Sequence, residues 1–213
     1  MKNEKKFKII CHDTNIKLSK SKLTFQTFGN VSQRLDQDHF IIKPSGVDVA
    51  RLNWRKYPVI RIIDNKIVNG KLNPSSDTPT HSEIYKMSKD IGGITHAHSK
   101  YVTIWAQSKK KIPILGTTHA DYWDTDIPIT KKITNNHIKK DYEKNIGKYI
   151  RDVFNGRNKI KNCPGVLVVN HGGFCWGKDA VHSFLNFEIL EFVAETAFKT
   201  LQINKNSKIE KHL

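Results

Sequence analysis

The chain has 213 residues, 38% of them hydrophobic, with 36 Lys and Arg against 20 Asp and Glu, a formal net charge of +16. That length suits one large domain, residues 1–213 with a short tail from about 202, and no Gly/Ser-rich or Pro-rich linker and no internal repeat divides it. No run approaches the roughly 18 apolar residues of a membrane span, and the charged start MKNEKKFKIICHD holds too short an apolar stretch for a signal sequence, so the expected compartment is the cytoplasm.

The basic residues invite a nucleic-acid reading through phosphate neutralisation. They are scattered, however, as in KKIT, HIKKDYEK and NKIKN, and no zinc-finger, RNA-recognition or homeodomain signature accompanies them, which argues against a nucleic-acid partner. Cys11, Cys163 and Cys175 form no C-x-x-C pair. An odd number of cysteines fits a reducing compartment and buried packing better than a disulfide frame.

In chain order, LTFQTF (23–28) and HFIIKPS (39–45) read as strands, and YPVIRIIDNKIVNG (57–70) as a hairpin turning near Asp64 and Asn65. Thr78 before Pro79 predicts a helix N-cap with proline at the first helical position, leading into THSEIYKMSKD and stopping at Gly92. A strand over 93–98 follows, then a helix in KYVTIWAQS (100–108), a short strand in IPIL (112–115) and a helix over 137–154. GVLVVN (165–170) reads as a buried strand, and 179–201 as a long last helix. Alternating elements joined by a hairpin and by helical crossovers predict an α/β domain, its central sheet mixed but mostly antiparallel, with helices on both faces. There is no G-x-G-x-x-G or Walker A loop, which weighs against nucleotide-dependent chemistry.

In GGITHAHS (92–99), His96 and His98 flank one alanine. On a strand both imidazoles point to the same face and can share a metal, although such a pair also decorates ordinary exposed strands. His171 ends an apolar strand just before Gly172-Gly173 and offers a third imidazole; its plain role is that of a loop residue. Asp77 precedes the helix cap at Thr78, where a carboxylate alone would serve as a capping group.

Seven segments, GNVS (29–32), IKPSGVD (42–48), SSDTPTH (75–81), GGITHAHS, TIWAQ (103–107), GTTHADYW (116–123) and NHGGFCWGK (170–178), resemble in order those of the L-ribulose-5-phosphate 4-epimerases, over roughly residues 20–200. These belong to the class II, zinc-dependent sugar-phosphate aldolase and epimerase superfamily. The resemblance implies a class II aldolase-like fold, a homotetramer with sites at subunit interfaces, and one Zn2+ per chain held by Asp77, His96, His98 and His171, with other divalent transition metals able to substitute. It implies a phosphorylated ketopentose substrate whose C3–C4 bond breaks and re-forms with inversion at C4. That ketose phosphate occurs in both arabinose and ascorbate degradation. Asn30, Lys43, Ser45, Gly46, Ser75 and Ser76 match the phosphate pocket, and backbone N–H groups with hydroxyls in such turns suit a dianion. Asp121 matches the acid that shuttles a proton at the C4 hydroxyl. Thr117, Glu143 and His212 align with positions lining the site, and His119 reads as structural. One departure stands out: the family's tail supplies a tyrosine to a neighbouring site, whereas NSKIEKHL carries none.

Two other readings compete. Fuculose- and rhamnulose-phosphate aldolases, which release dihydroxyacetone phosphate, typically carry glutamate where Asp77 stands; Asp77 and GTTHADYW favour the epimerase. A non-catalytic binding module, either a metal-free relative or a basic protein holding nucleic acid, is the alternative from another class, and retention of all three imidazoles with Asp77 argues against the metal-free scaffold.

Overall fold

The computed structural model describes residues 3–155, 160 and 162–208. One sheet organises it. Its strands are β1 (Asn30–Arg34), β2 (His39–Ile42), β3 (Val59–Arg61), β4 (Ile67–Asn69), β5 (Gly93–Ala97), β6 (Gly165–Leu167) and β7 (Gly173–Gly177), arranged side by side as β4-β3-β2-β1-β5-β7-β6. Every paired neighbour among these strands is antiparallel, in keeping with the mostly antiparallel sheet expected. The long crossover from edge strand β4 returns the chain to the middle of the sheet, where β5 runs against β1. Among the described residues, parallel pairing is confined to the isolated bridge between Ile129 and Leu167.

Helices cover both faces, as the sequence predicts. Strand alternation sorts them. Val31 and Thr95, register partners, face α1 (Glu4–Lys20) and α7 (Ala180–Ile203): Asn15 of α1 bonds both backbone groups of Val31, and Thr95 Oγ1 lies 2.8 Å from Ser183 Oγ of α7. Asn30, Ser32, Ile94 and His96 point the other way, toward α2 (Thr78–Tyr85). There Ser32 Oγ meets His81 Nδ1 at 2.7 Å and Tyr85 Oη at 2.8 Å. The helix α6 (Tyr142–Phe154) packs on α2 through Arg151–Glu83 at 2.9 Å, with the short α5 (Asn135–Lys139) before it. Helices α3 (Lys100–Ser108) and α4 (Thr117–Tyr122) lie against α7.

The hairpin turns where expected, with Asn65 at φ 61°, and α3 occupies its predicted residues. Other expectations are corrected. LTFQTF forms turns, leaving Phe25 71% and Phe28 56% exposed, and β1 begins only after Gly29. The helix α2 starts with Asp77 as N-cap, one residue early, and ends at Tyr85. Within IPIL only Ile112 pairs, with Ile127, because Pro113 has no N–H to continue a ladder. The helix over 137–154 breaks at Asp141, which takes φ 53° between α5 and α6. GVLVVN pairs only to Leu167 and then turns, with Asn170 at φ 60°.

Fully buried Trp123, Tyr57, Phe40, Phe174 and Phe187 fill the core, and all three cysteines are buried. Among the described residues no helix is long and apolar enough to cross a membrane.

Candidate metal centre

Glycines allow the strand that bears His96 to sit where it does. A Cβ on Gly92 would lie 2.0 Å from the Lys178 carbonyl oxygen, and one on Gly93 would lie 2.2 Å from Ala180 N, so the start of α7 crosses the bare backbone of β5. On the other side, a Cβ on Gly172 would meet Ala97 O at 2.7 Å and His98 Cδ2 at 2.8 Å. The turn carrying His171 thereby closes over the end of β5. The two Gly-Gly pairs of the sequence are close-approach points that bring three imidazoles together.

His96 and His98 face the α2 side of the sheet, and His171 joins them. His171 Nε2 lies 3.2 Å from His96 Nε2 and 3.3 Å from His98 Nε2, and the three ligand-capable atoms all fall within 4.8 Å of one another. His96 Nδ1 sits 2.8 Å from the Gly173 carbonyl oxygen. A carbonyl only accepts, so Nδ1 bears the proton and Nε2 turns a lone pair toward the centre. Asp77 Oδ2 lies 3.9 Å from His96 Nε2 and accepts from Asn30 Nδ2 at 2.7 Å, so the N-cap carboxylate is turned away from its helix toward the imidazoles. Nitrogens on a tetrahedral zinc, at about 2.0–2.1 Å, are about 3.3–3.4 Å apart. The spacing and tautomer therefore fit a divalent cation.

Electrostatics favour neutral rings at His81, His98 and His171 and an ionised Asp77 carboxylate. Burial, reinforced by His96, pushes His98 down to about 4 although the residue keeps an exposed surface, and burial likewise lowers His171. Buried His81, behind the site on α2, falls to about 3. Burial pushes Asp77 up, but His96, His81, the Asn30 amide and His171 together outweigh it and hold the carboxyl below its ordinary range. In the unfolded chain these imidazoles take up protons at their usual 6.5, whereas the folded chain resists until far lower pH. The unfolded state then binds more protons, so acidification costs stability. The metal-free chain is expected to melt at a lower temperature at about pH 5 than at about pH 7.5. A midpoint independent of pH over that window would contradict the neutral cluster.

The predicted phosphate residues form two turns tied to each other. Ser45 N donates to Asn73 O, Ser75 N donates to Lys43 O, and Pro44 bridges Pro74. Gly46 takes φ 65°, which favours glycine there. Ser45 and Ser76 are exposed, while the Ser75 hydroxyl accepts from Asp77 N at 3.3 Å. The buried Lys43 ammonium donates to Thr27 O at 2.9 Å; burial lowers its pKa and Asp77 opposes that. The Asn30 amide also donates to Asp77 Oδ2, at 2.7 Å.

Thr117 and Asp121 lie on α4, against α7 and so on the sheet face opposite the imidazoles. Glu143 is in the first turn of α6, where its carbonyl accepts from Thr80 Oγ1. His212 lies outside the described residues. His119 is buried beside Trp123 in an edge-on contact.

Tyr142 and Glu191, near the site, belong to no motif, whereas His81 closes the SSDTPTH segment. His81 bonds Ser32 behind Asp77, and Tyr142 Oη lies 3.3 Å from His171 Nδ1. Glu191 of α7 accepts from Ser99 Oγ at 2.6 Å and from the N–H groups of Tyr101 and Val102, capping α3 just past His98. A cap supplied by a residue about ninety positions away leaves no local signal.

The sequence profile of the Class II Aldolase and Adducin N-terminal domain family matches residues 11–198. Two relatives, each named L-ribulose-5-phosphate 4-epimerase UlaF, from Salmonella paratyphi B and Salmonella paratyphi A, are 40% identical over 194 residues, covering 90% of this chain and 84% of theirs. A solved structure named L-fuculose 1-phosphate aldolase, 24% identical, aligns with a TM-score of 0.80 over 97% of this chain and 91% of its own, and shares the fold. With the profile running from α1 through every strand into α7, the chain belongs to the class II aldolase and adducin N-terminal domain family.

Proposed function

We propose that this chain is an L-ribulose-5-phosphate 4-epimerase, interconverting L-ribulose 5-phosphate and D-xylulose 5-phosphate in the cytoplasm. The observation that carries the reading is the convergence of His96, His98 and His171 beside Asp77 in a chain 40% identical to two proteins of that name. The three imidazoles and Asp77 hold zinc, with cobalt or manganese as substitutes. A divalent cation bound there supplies Lewis-acid stabilisation of the negative charge that appears on the ketose oxygens when the C3–C4 bond breaks.

The chain's own groups do the rest. Asn30 fixes the Asp77 carboxylate through its amide, which holds negative charge at the centre. The linked turns of Lys43, Ser45, Gly46, Ser75 and Ser76 receive the phosphate, with exposed hydroxyls at its rim and a buried ammonium behind. Glu143 lines the approach from α6. Asp121 moves the proton at the C4 hydroxyl. Because α4 packs on the α7 face, Asp121 and Thr117 serve the centre of a neighbouring copy, which fits a homotetramer with sites between subunits.

Asp121→Asn is expected to keep the metal and lower turnover by about 10²–10⁴-fold, the usual contribution of a positioned acid or base. A fully active variant would remove Asp121 from the mechanism. The reading as a whole is tested by NMR of the zinc-loaded chain with L-ribulose 5-phosphate. Formation of D-xylulose 5-phosphate, abolished by a chelator, is expected. Release of two fragments without the epimer would assign an aldolase instead.

A further inference from the structure

We infer that Tyr142 is a positioning residue for the metal centre, orienting His171 through a hydrogen bond between its phenol oxygen and His171 Nδ1. The inference rests on the metal reading above and adds a residue to it.

Of the three imidazoles, His96 is oriented by backbone, through the Gly173 carbonyl. His171 is not on a strand. It sits on a turn, after Asn170 at φ 60°, with its own N–H bonded to Val168 O at 3.0 Å. Its ring needs a partner from elsewhere if Nε2 is to keep facing the centre. With Nε2 toward His96 and His98, the proton resides on Nδ1, and the group facing Nδ1 is Tyr142 Oη at 3.3 Å, the two rings inclined by 70°. A phenol oxygen accepts that proton. Burial, then Glu143 and Asp77, raise the phenol's pKa, so it stays a neutral hydroxyl.

The tyrosine is itself held firmly. It is the first residue of α6, next to Asp141 in the left-handed conformation. Thr80 Oγ1 donates to the carbonyl of Glu143, Arg151 pairs with buried Glu83, and a Cβ on Gly147 would lie 2.6 Å from Glu83 Cβ, so α6 meets α2 at close range. The same α2 has Asp77 at its N-cap. One packed helix pair thus presents the carboxylate and the orienting phenol to the cluster. Outer partners of metal-binding histidines act in this way, and losing one typically costs about 10–100-fold in metal affinity.

The test compares wild type with Tyr142→Phe, which keeps the ring and its packing. Zinc affinity is measured by chelator competition, and the imidazole N–H signals are followed by ¹⁵N NMR of the zinc-loaded chains. Zinc binding by Tyr142→Phe is expected to weaken about 10–100-fold. The His171 Nδ1–H signal should lose its protection from exchange while that of His96 persists. A Tyr142→Phe chain that binds zinc as tightly as wild type with an unchanged His171 signal would overturn the assignment and leave the metal reading intact. A wild-type chain that takes up no zinc would overturn both. Should Tyr142→Phe melt well below wild type, Thr80→Val, which unties the first turn of α6 from α2, should also weaken zinc binding; unchanged affinity there would count against the role.

Discussion

His96→Asn should leave a folded chain that neither retains zinc nor turns over substrate. The asparagine amide sits close to where Nδ1 sits in histidine, so it can still donate to the Gly173 carbonyl that Nδ1 reaches at 2.8 Å. What the substitution removes is Nε2, the atom 3.2 Å from His171 Nε2 and 3.9 Å from the Asp77 carboxylate. Zinc affinity should fall by more than the roughly 10–100-fold lost with an outer partner. Zinc per chain after dialysis, read beside a thermal melt, separates the effects. A variant that still carries one zinc per chain would remove His96 from the ligand set.

Gly93→Ala should be strongly destabilising for so small a change. The new methyl would fall 2.2 Å from Ala180 N and from the Asp179 carbonyl carbon, and 2.4 Å from Asp179 O. These are backbone atoms and cannot rotate aside. Relief requires moving the start of α7 off β5, which disrupts the Gln33–Ala180 bond at 2.9 Å and the Thr95–Ser183 bond at 2.8 Å. Overpacking of this kind costs about 1–3 kcal/mol and more when nothing yields. At the upper end, a chain of this length should melt about 6–12 °C lower. Gly116→Ala is the control, since nothing lies within 4 Å of its added Cβ. An unchanged midpoint for Gly93→Ala would show that the close approach is not as described.

Much of the centre was legible because its residues follow strand and turn rules. The i, i+2 spacing of His96 on buried β5 and His98 just past its end, with His171 at the foot of another strand, announces a shared face, and the glycine pairs mark where backbone comes near. The turn at Asp64–Asn65 and the helix over 100–108 follow equally local signals. Other parts were hidden for stated reasons. The buried side of α1 includes Lys8, His12, Thr14 and Asn15, so hydrophobic periodicity is blind to it. Asn15 works there as a substitute strand edge, bonding Val31. The apolar LTFQTF run imitates a strand, yet its phenylalanines remain at the surface. Asp77 looked like a neighbour of the cap and proved to be the cap residue, with its carboxylate committed to Asn30 and the imidazoles. Tyr142 reaches His171, and Glu191 caps α3 just past His98, across long stretches of chain, and only the packing of α6 and α7 places them there.

If three imidazoles hold one divalent cation, X-ray absorption at the zinc edge of the zinc-loaded chain should show a nitrogen and oxygen shell at about 2.0–2.1 Å, with the outer scattering of three imidazole rings. A sulfur shell at about 2.3 Å, or zinc with no imidazole scattering, would place the ion elsewhere and contradict it.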